Sequence, residues 1–213
     1  MFYTTRKYLF GKLSRLKTLQ FFLRSGKRSP HDLLKVIVHP RVRLTLGRDF
    51  KVEGPGSLHI GHDLGHFPRG TPSSFRIGDG ATLRLAGKQL LLSGHQISIE
   101  PGGILELSGG YINHDAKIGC SHHIRIGRDT IISEDVIIMD SDSHHLAGAE
   151  PPTGITIGDR VWIGMRCTIL KNVQIGDGAV IAAGSVVAGN IPAGCLAGGV
   201  PARVIRENVH WNL

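Results

Sequence analysis

Residues 157–198 read IGDRVW IGMRCT ILKNVQ IGDGAV IAAGSV VAGNIP AGCLAG when cut into sixes. Ile157, Ile163, Ile169, Ile175, Ile181 and Val187 share one lattice of period six, and Gly or Ala follows most of them. The fifth place of successive hexads holds Val161, Cys167, Val173, Ala179, Ser185 and Ile191, all small or branched. Neither the 3.6-residue period of a helix nor the alternation of a simple strand gives this spacing, so the stretch is an internal repeat. Six residues are too few to fold alone; each unit is one flat side of a coil that stacks on its neighbours. The aliphatic first position and the small fifth position point inward, and Gly or Ala suits the corner between them, where a larger side chain would clash. Stacking at the strand spacing of ~4.8 Å pairs each backbone group with the coils above and below.

Upstream, Ile126, Ile132 and Ile138 keep the same frame. Ile157 then comes nineteen residues after Ile138, where three hexads would take eighteen, so the register breaks between them. The break falls in residues 140–154 (DSDSHHLAGAEPPTG), which lack the aliphatic pattern and are predicted to leave the coil as a loop. Loops held on a rigid scaffold are favoured places for chemistry. Looser restarts stand at Ile77 and Ile99, and Val36, Val38, Val42, Leu44 and Leu46 alternate as strands do, which predicts imperfect first coils. The predicted organisation is a basic amphipathic segment (1–32), an all-β solenoid (33–199) and a tail (200–213) folded back along the last coils. Within the solenoid, coils 33–98 are irregular and 99–199 regular, with the loop at 140–154.

The net charge of +8 is concentrated at one end. Residues 1–28 hold Arg6, Lys7, Lys12, Arg15, Lys17, Arg24, Lys27 and Arg28 and no acid, whereas the other 17 Lys and Arg are matched by all 17 Asp and Glu. A body of zero net charge argues against a nucleic-acid partner, which needs a basic face on the fold itself. Positions 9, 13, 16 and 23, with 10 and 19 beside them, approximate one apolar helical face, too interrupted by Lys12, Arg15 and Lys17 for a membrane span or a signal peptide. Two readings stay open for this arm: a helix lying on an anionic membrane surface, or one packing on the solenoid end or a neighbouring subunit. Cys120, Cys167 and Cys195 are odd in number and lack C-x-x-C spacing, which points to reduced thiols and a cytoplasmic location, peripheral on the inner face of the membrane under the first reading of the arm.

His144 and His145 lie in the loop that breaks the register, after Asp140 and Asp142. Imidazole titrates near neutrality and is suited to take a proton from an attacking hydroxyl or amine. In an extended chain Asp142, two residues before His144, would point to the same side and hold its second nitrogen, with Asp140 as competitor. Metal binding by histidines 114, 122, 123, 144 and 145 would require a close, fixed His spacing on consecutive flats, and the well-formed repeat has none; no metal is predicted.

Three further motifs, Val161-Trp-Ile-Gly-Met, Ile181-Ala-Ala-Gly-Ser-Val-Val and Val200-Pro-Ala-Arg-Val-Ile-Arg, give the chain its family resemblance. It resembles the hexapeptide-repeat acyltransferases, most nearly the maltose/galactoside and polysaccharide (capsule or O-antigen) O-acetyltransferases, over residues 99–206. The resemblance implies a left-handed parallel β-helix with three hexads per turn, a handedness opposite to the usual rule for parallel crossovers. It also implies a homotrimer with each site between two subunits, acetyl-CoA as co-substrate and a sugar or polysaccharide-precursor hydroxyl as acceptor. Counted outward from Ile126, the family's essential base falls on His144, with His145 as alternative, and its acceptor-binding Asn falls on Asn113. Trp162, Met165 and Ala183 would line the pantetheine groove, Met165 offering its backbone N–H to the thioester carbonyl. Arg203 and Arg206 would meet the nucleotide phosphates. Where the family carries a Thr/Ser-Lys pair beside the CoA, this chain has Ala188 and Gly189, so a side-chain phosphate contact is missing. N-acetylation of an amino sugar or sugar nucleotide, and a non-catalytic scaffold, are the alternatives.

Overall fold

The computed structural model describes residues 15–24, 35–62, 71–144 and 153–212. His145 and most of the basic arm lie outside these.

From Val36–Val38 to Thr168–Ile169 each strand pairs in parallel with the strand three places further along the chain, which wraps the backbone into a left-handed, three-sided β-helix. Face A is built from Val36–Val38, Ser57–His62, Lys88–Leu92, Gly110–Ile112, Thr130–Ile132, Trp162–Ile163, Val180–Ile181 and Leu196–Gly199. Face B holds Val42–Leu46, Ser73–Ile77, Gln96–Ile99, Lys117–Cys120, Ile137–Met139, Thr168–Ile169 and Val186–Val187. Face C holds Lys51–Glu53, Thr82–Leu85, Ile104–Leu107, His123–Ile126, Ile155–Ile157 and Gln174–Ile175. The hexad lattice is the core: Ile157, Ile163, Ile169, Ile175, Ile181 and Val187 are buried, as are all six fifth-place residues.

The glycines after the aliphatic positions answer to the neighbouring coil. A Cβ on Gly164 would stand 2.7 Å from the nitrogen of Ala183 and 2.8 Å from the oxygen of Ile181. The left-handed backbone position falls two residues later and is filled by Arg160, Arg166 and Asn172 as well as by glycine.

The early coils are wider, and the pairing of Ser57–His62 with Lys88–Leu92 shifts register between Ile60 and His62. Eighteen residues separate Thr168 from its partner Val186, whereas twenty separate Lys117 from Ile137, twenty-one Gln96 from Lys117 and twenty-two Ser74 from Gln96. Among the described residues the buried phenylalanines of the coils, Phe50 and Phe75, lie in this wider part, whereas from Ile112 on the apolar core is built of Ile, Val, Cys and Ala. Two coils contain excursions: thirty-one residues separate Val42 from Ser73 and Ile137 from Thr168. Ile138 and Ile157 sit on consecutive faces, B and C. The interval between them is therefore one hexad plus a thirteen-residue insertion, not three hexads plus one residue.

Both ends of the solenoid are closed. Helix α1 (Arg15–Arg24) lies on the first coil, where Thr18 Oγ1 accepts from the N–H of Val38 at 3.1 Å. Lys17 Nζ donates to the carbonyls of Pro40 and Val42 at 2.7 and 2.6 Å. Phe21 is buried against the core, edge-on to Phe50 with centroids 5.9 Å apart. At the other end the tail folds back as expected: Ala202–Arg206 runs antiparallel to Leu196–Gly199, and Trp211 Nε1 donates to the carbonyl of Arg160 at 2.9 Å. Phe21→Ala should destabilise the fold by about 3 kcal/mol, the typical cost of emptying a buried phenylalanine site. A urea midpoint equal to that of the unmutated protein would show that the helix is not a structural cap.

Candidate functional site

The chain turns at the same three corners in every coil, so corner residues form columns. At the A–B corner the N–H of Asp135 donates to the carbonyl of His114 at 3.1 Å, that of Arg166 to Glu134 at 2.9 Å and that of Gly184 to Met165 at 2.9 Å. His114, Glu134, Met165 and Ala183 therefore follow one another up one edge of the prism, and Asn113, Ser133, Gly164 and Ala182, one residue earlier in each coil, form the column beside them. Asn113 is half-buried and its Oδ1 accepts the N–H of His114 at 2.9 Å, which turns its amide nitrogen outward as a donor. Trp162 stands beside the column on face A, 43% exposed, with Nε1 donating to Ser133 Oγ at 3.3 Å and its ring 6.1 Å from that of Trp211. The N–H groups of Gly164 and Arg166 are committed to Ile181 and Glu134, at 2.8 and 2.9 Å. Between them, the N–H of Met165 has no hydrogen-bond partner among the described residues, and its side chain is 49% exposed. Arg203 pairs with Gly198, one coil beyond Ala182, and Arg206 with Leu196; both arginines are exposed.

His144 belongs to the other edge of face B. Its loop leaves the B–C corner after Met139, at the corner that also carries Lys171, Ala188 and Gly189. Ala188 and Gly189 are exposed, and a Cβ on Gly189 would meet nothing within 4 Å. The loop's first residue, Asp140, is fully buried, and its carboxylate accepts the N–H groups of Ser121, His122 and His123 at 2.7, 2.9 and 2.8 Å. Asp142 is ion-paired to Lys171 Nζ at 2.5 Å. At the loop's exit Asn172 Oδ1 accepts the N–H of Thr153 at 2.6 Å, and the N–H of Asn172 donates to Gly154 at 2.9 Å. Lys171 and Asn172 thus hold both ends of the excursion to the next coil, and His144 is exposed.

Neither aspartate orients His144 as the sequence suggested. Asp140 is consumed in closing the turn beneath the loop. Asp142 and His144 do not share a side, because the chain turns between them: Ser143 has φ 59° and donates its N–H to Ser141 Oγ. This local turn has no signature beyond the two serines, and extended geometry was the wrong premise.

The two edges are far apart within one chain. Asn113 and Cys120 bound face B in one coil, and seven residues at ~3.3 Å each separate them by roughly 20 Å. One chain therefore brings Asn113, Trp162, Met165 and Ala183 together and places His144, Ala188 and Gly189 on the opposite edge. The remaining face has a structural cast: Glu53, Arg84, Glu106 and His123 form a ladder of ion pairs and hydrogen bonds up face C. A cleft of about 300 Å³ beside that ladder touches neither column.

Other reactive groups are withdrawn. Burial pushes the Cys120 thiol up to about 12 and raises that of Cys167, and all three cysteines are buried and free. Burial holds His95 neutral, pushed down to about 4, with Nε2 facing the carbonyl of Ile112 at 3.2 Å. His114 Nδ1 lies 2.9 Å from Ser93 Oγ and His123 Nε2 is 2.9 Å from Glu106.

Asp140→Asn should lower stability by about 2 kcal/mol, because an amide nitrogen would face buried N–H donors where a carboxylate oxygen now accepts. An unchanged urea midpoint would deny that Asp140 anchors the loop.

Comparison with known proteins supports the same scaffold. The family pattern described as bacterial transferase hexapeptide (six repeats) matches residues 154–189. A protein of Escherichia coli K12 named as the lipopolysaccharide biosynthesis O-acetyl transferase WbbJ is 33% identical over 113 residues, 46% of this chain and 58% of that protein. The galactoside O-acetyltransferase of the same organism is 39% identical over 102 residues, 46% of this chain and 50% of that enzyme. The chain thus spans little more than half the length of these relatives. The crystal structure of the polySia-specific acetyltransferase NeuO superposes with a TM-score of 0.56 at 22% identity, over 81% of this chain and 89% of that one, a likeness of fold. The β-helix of this chain carries a bacterial transferase hexapeptide repeat at residues 154–189.

Proposed function

We propose that the protein is an acetyl-CoA-dependent O-acetyltransferase acting on a hydroxyl of a sugar or polysaccharide precursor. The observation that carries this reading is the A–B corner: Met165 and Ala183 stack in one column, Asn113 stands in the column beside it two coils before Met165, exposed Trp162 adjoins them and Arg203 lies beyond. The similarity to two O-acetyltransferases named for carbohydrate substrates supports the acceptor class. The site would be completed between two copies in a homotrimer, with the A–B column of one chain facing the B–C corner of the next. His144, Ala188 and Gly189 would come from that second chain.

In this arrangement His144 takes the proton of the acceptor hydroxyl as its oxygen attacks the thioester carbonyl carbon. The carbonyl oxygen becomes a tetrahedral oxyanion and accepts from the N–H of Met165. Collapse breaks the carbon–sulfur bond, and the departing thiolate takes the proton back from His144. Asn113 donates its amide to the acceptor sugar, Trp162 and Ala183 flank the pantetheine chain, and Arg203 and Arg206 meet the phosphates. Transfer is read as direct, which the cysteines support, since all three are buried and burial raises the thiol pKa values of Cys120 and Cys167. The protein is read as cytoplasmic; among the described residues no helix is long and apolar enough to cross a membrane.

His144→Ala should lower turnover by about two orders of magnitude or more while CoA binding is kept. Turnover at the unmutated rate, measured as acetyl-CoA-dependent release of CoA with a panel of sugars and sugar nucleotides, would exclude His144 as the base.

Mixing gives a separate test of the shared site. Refolding Asn113→Ala together with His144→Ala should restore about a quarter of the unmutated activity, since random trimers form some sites with both intact residues. Activity no higher than that of the separate variants would place both residues in one chain's site.

A further inference from the structure

The predicted apolar stripe of the N-terminal arm runs through positions 9, 13, 16, 19 and 23, and the structure does not bury it against the solenoid where it is described. The face of α1 that meets the first coil carries Lys17, Thr18 and Phe21. Leu19 and Leu23, one helical turn apart on another face, are 41% and 67% exposed. The helix is therefore amphipathic in a second sense: it caps the solenoid with one side and presents leucines with another.

We propose that this leucine face docks on an anionic membrane surface. Charge complementarity selects the occupant. Residues 1–28 carry eight Lys and Arg and no acid, on a body of zero net charge, so the arm is a basic extension beside an apolar stripe. Such a combination is what lies in the interface of an anionic bilayer. A second copy of the chain would set one basic segment against another. A nucleic acid would use the basic residues and leave the leucines in water. Two leucines bury too little surface to hold the protein alone, so the contact depends on the charges and should weaken with salt.

The placement has a consequence for acceptor choice, which rests on the proposed acetyl transfer. α1 lies on the first coil and Asp140 in the fifth, four steps of ~4.8 Å along the axis. With the ~10 Å thickness of the helix added, a protein seated on α1 carries the His144 loop roughly 30 Å above the lipid, within reach of an extended glycan borne on a lipid headgroup.

The test uses the full-length protein and sedimentation with vesicles of phosphatidylglycerol and phosphatidylcholine, against phosphatidylcholine alone. The expected result is binding to the anionic vesicles at about 0.1 M salt, release at high salt, and little binding to the neutral ones. The double variant Leu19→Glu/Leu23→Glu should bind about tenfold more weakly or worse while keeping its melting temperature and its transfer to a soluble sugar. No binding of the unmutated protein, or equal binding of the variant, overturns the proposal. So does a variant that changes oligomeric state on size exclusion with no vesicle binding by either protein, since the face would then contact a second copy. Transfer to the soluble sugar is read separately, so failure of the membrane contact is distinct from failure of the catalytic reading.

Discussion

Every feature of this molecule depends on one constraint: each coil must lie on the next with its backbone in hydrogen-bonding register. At strand spacing there is no room for a corner to move sideways, and a single Cβ on Gly164 would already collide with Ala183. Corners therefore repeat in columns, and extra chain can leave only as an excursion that returns to the column it left. The thirteen-residue insertion does this, leaving after Met139 and returning at Gly154 on the same B–C corner. The buried carboxylate of Asp140 and the side chain of Asn172 hold the two ends where the register demands. The loop is thus a controlled departure, rooted in the coils above and below it.

The same constraint explains what could be read from the residues. Where the perimeter is eighteen, the sequence period is six, and residues 157–198 declare faces, corners and core without further information. Where the perimeter is twenty to twenty-two, the inward positions are just as strictly stacked, as Ile97 over Ile118 shows, but the sequence period drifts and the repeat loses its visible signature. Coil width is set by cross-section: the wide part admits Phe75, while its fifth places still take alanine, at Ala81 and Ala116, as the narrow part does at Ala179. No local pattern reports a cross-section. The end cap was half legible for a similar reason. Hydrophobic periodicity marks the most apolar stripe of α1, whereas the solenoid's open end needed the lone Phe21, a hydroxyl for the N–H of Val38 and an ammonium for two carbonyls. Unsatisfied backbone at an edge outweighed apolar area in choosing which side of the helix to turn inward.

The candidate site was legible as a set of residues and not as a place. Motif spacing picks out Asn113, His144, Trp162, Met165 and Ala183, but which corner each occupies depends on how many strands lie between them. Asn113 follows a strand of face A and His144 a strand of face B, and one face of the prism is enough to keep them apart. The orienting aspartates failed at a smaller scale. Asp140 and Asp142 look equivalent in DSDSHH, yet one is fully buried under three backbone donors and the other is exposed beside Lys171.

A rigid prism cannot close around a substrate, because its faces are flat and its corners convex. A concave site on such a body has two origins: a loop folded back over a face, or a second prism set against the first. The described part of this loop is anchored to the B–C corner, and its histidine lies only four residues from the buried Asp140. Four residues reach at most about 14 Å even when fully extended, and the turn at Ser143 shortens that further. The width of face B is larger, so the loop's own histidine falls short of the A–B column. In the proposed trimer a second copy would supply the missing wall without bending either chain. Rigidity, which denies this fold an induced closure, thereby makes association the way to build a pocket, and the separation of the two columns on one chain is the physical argument for it.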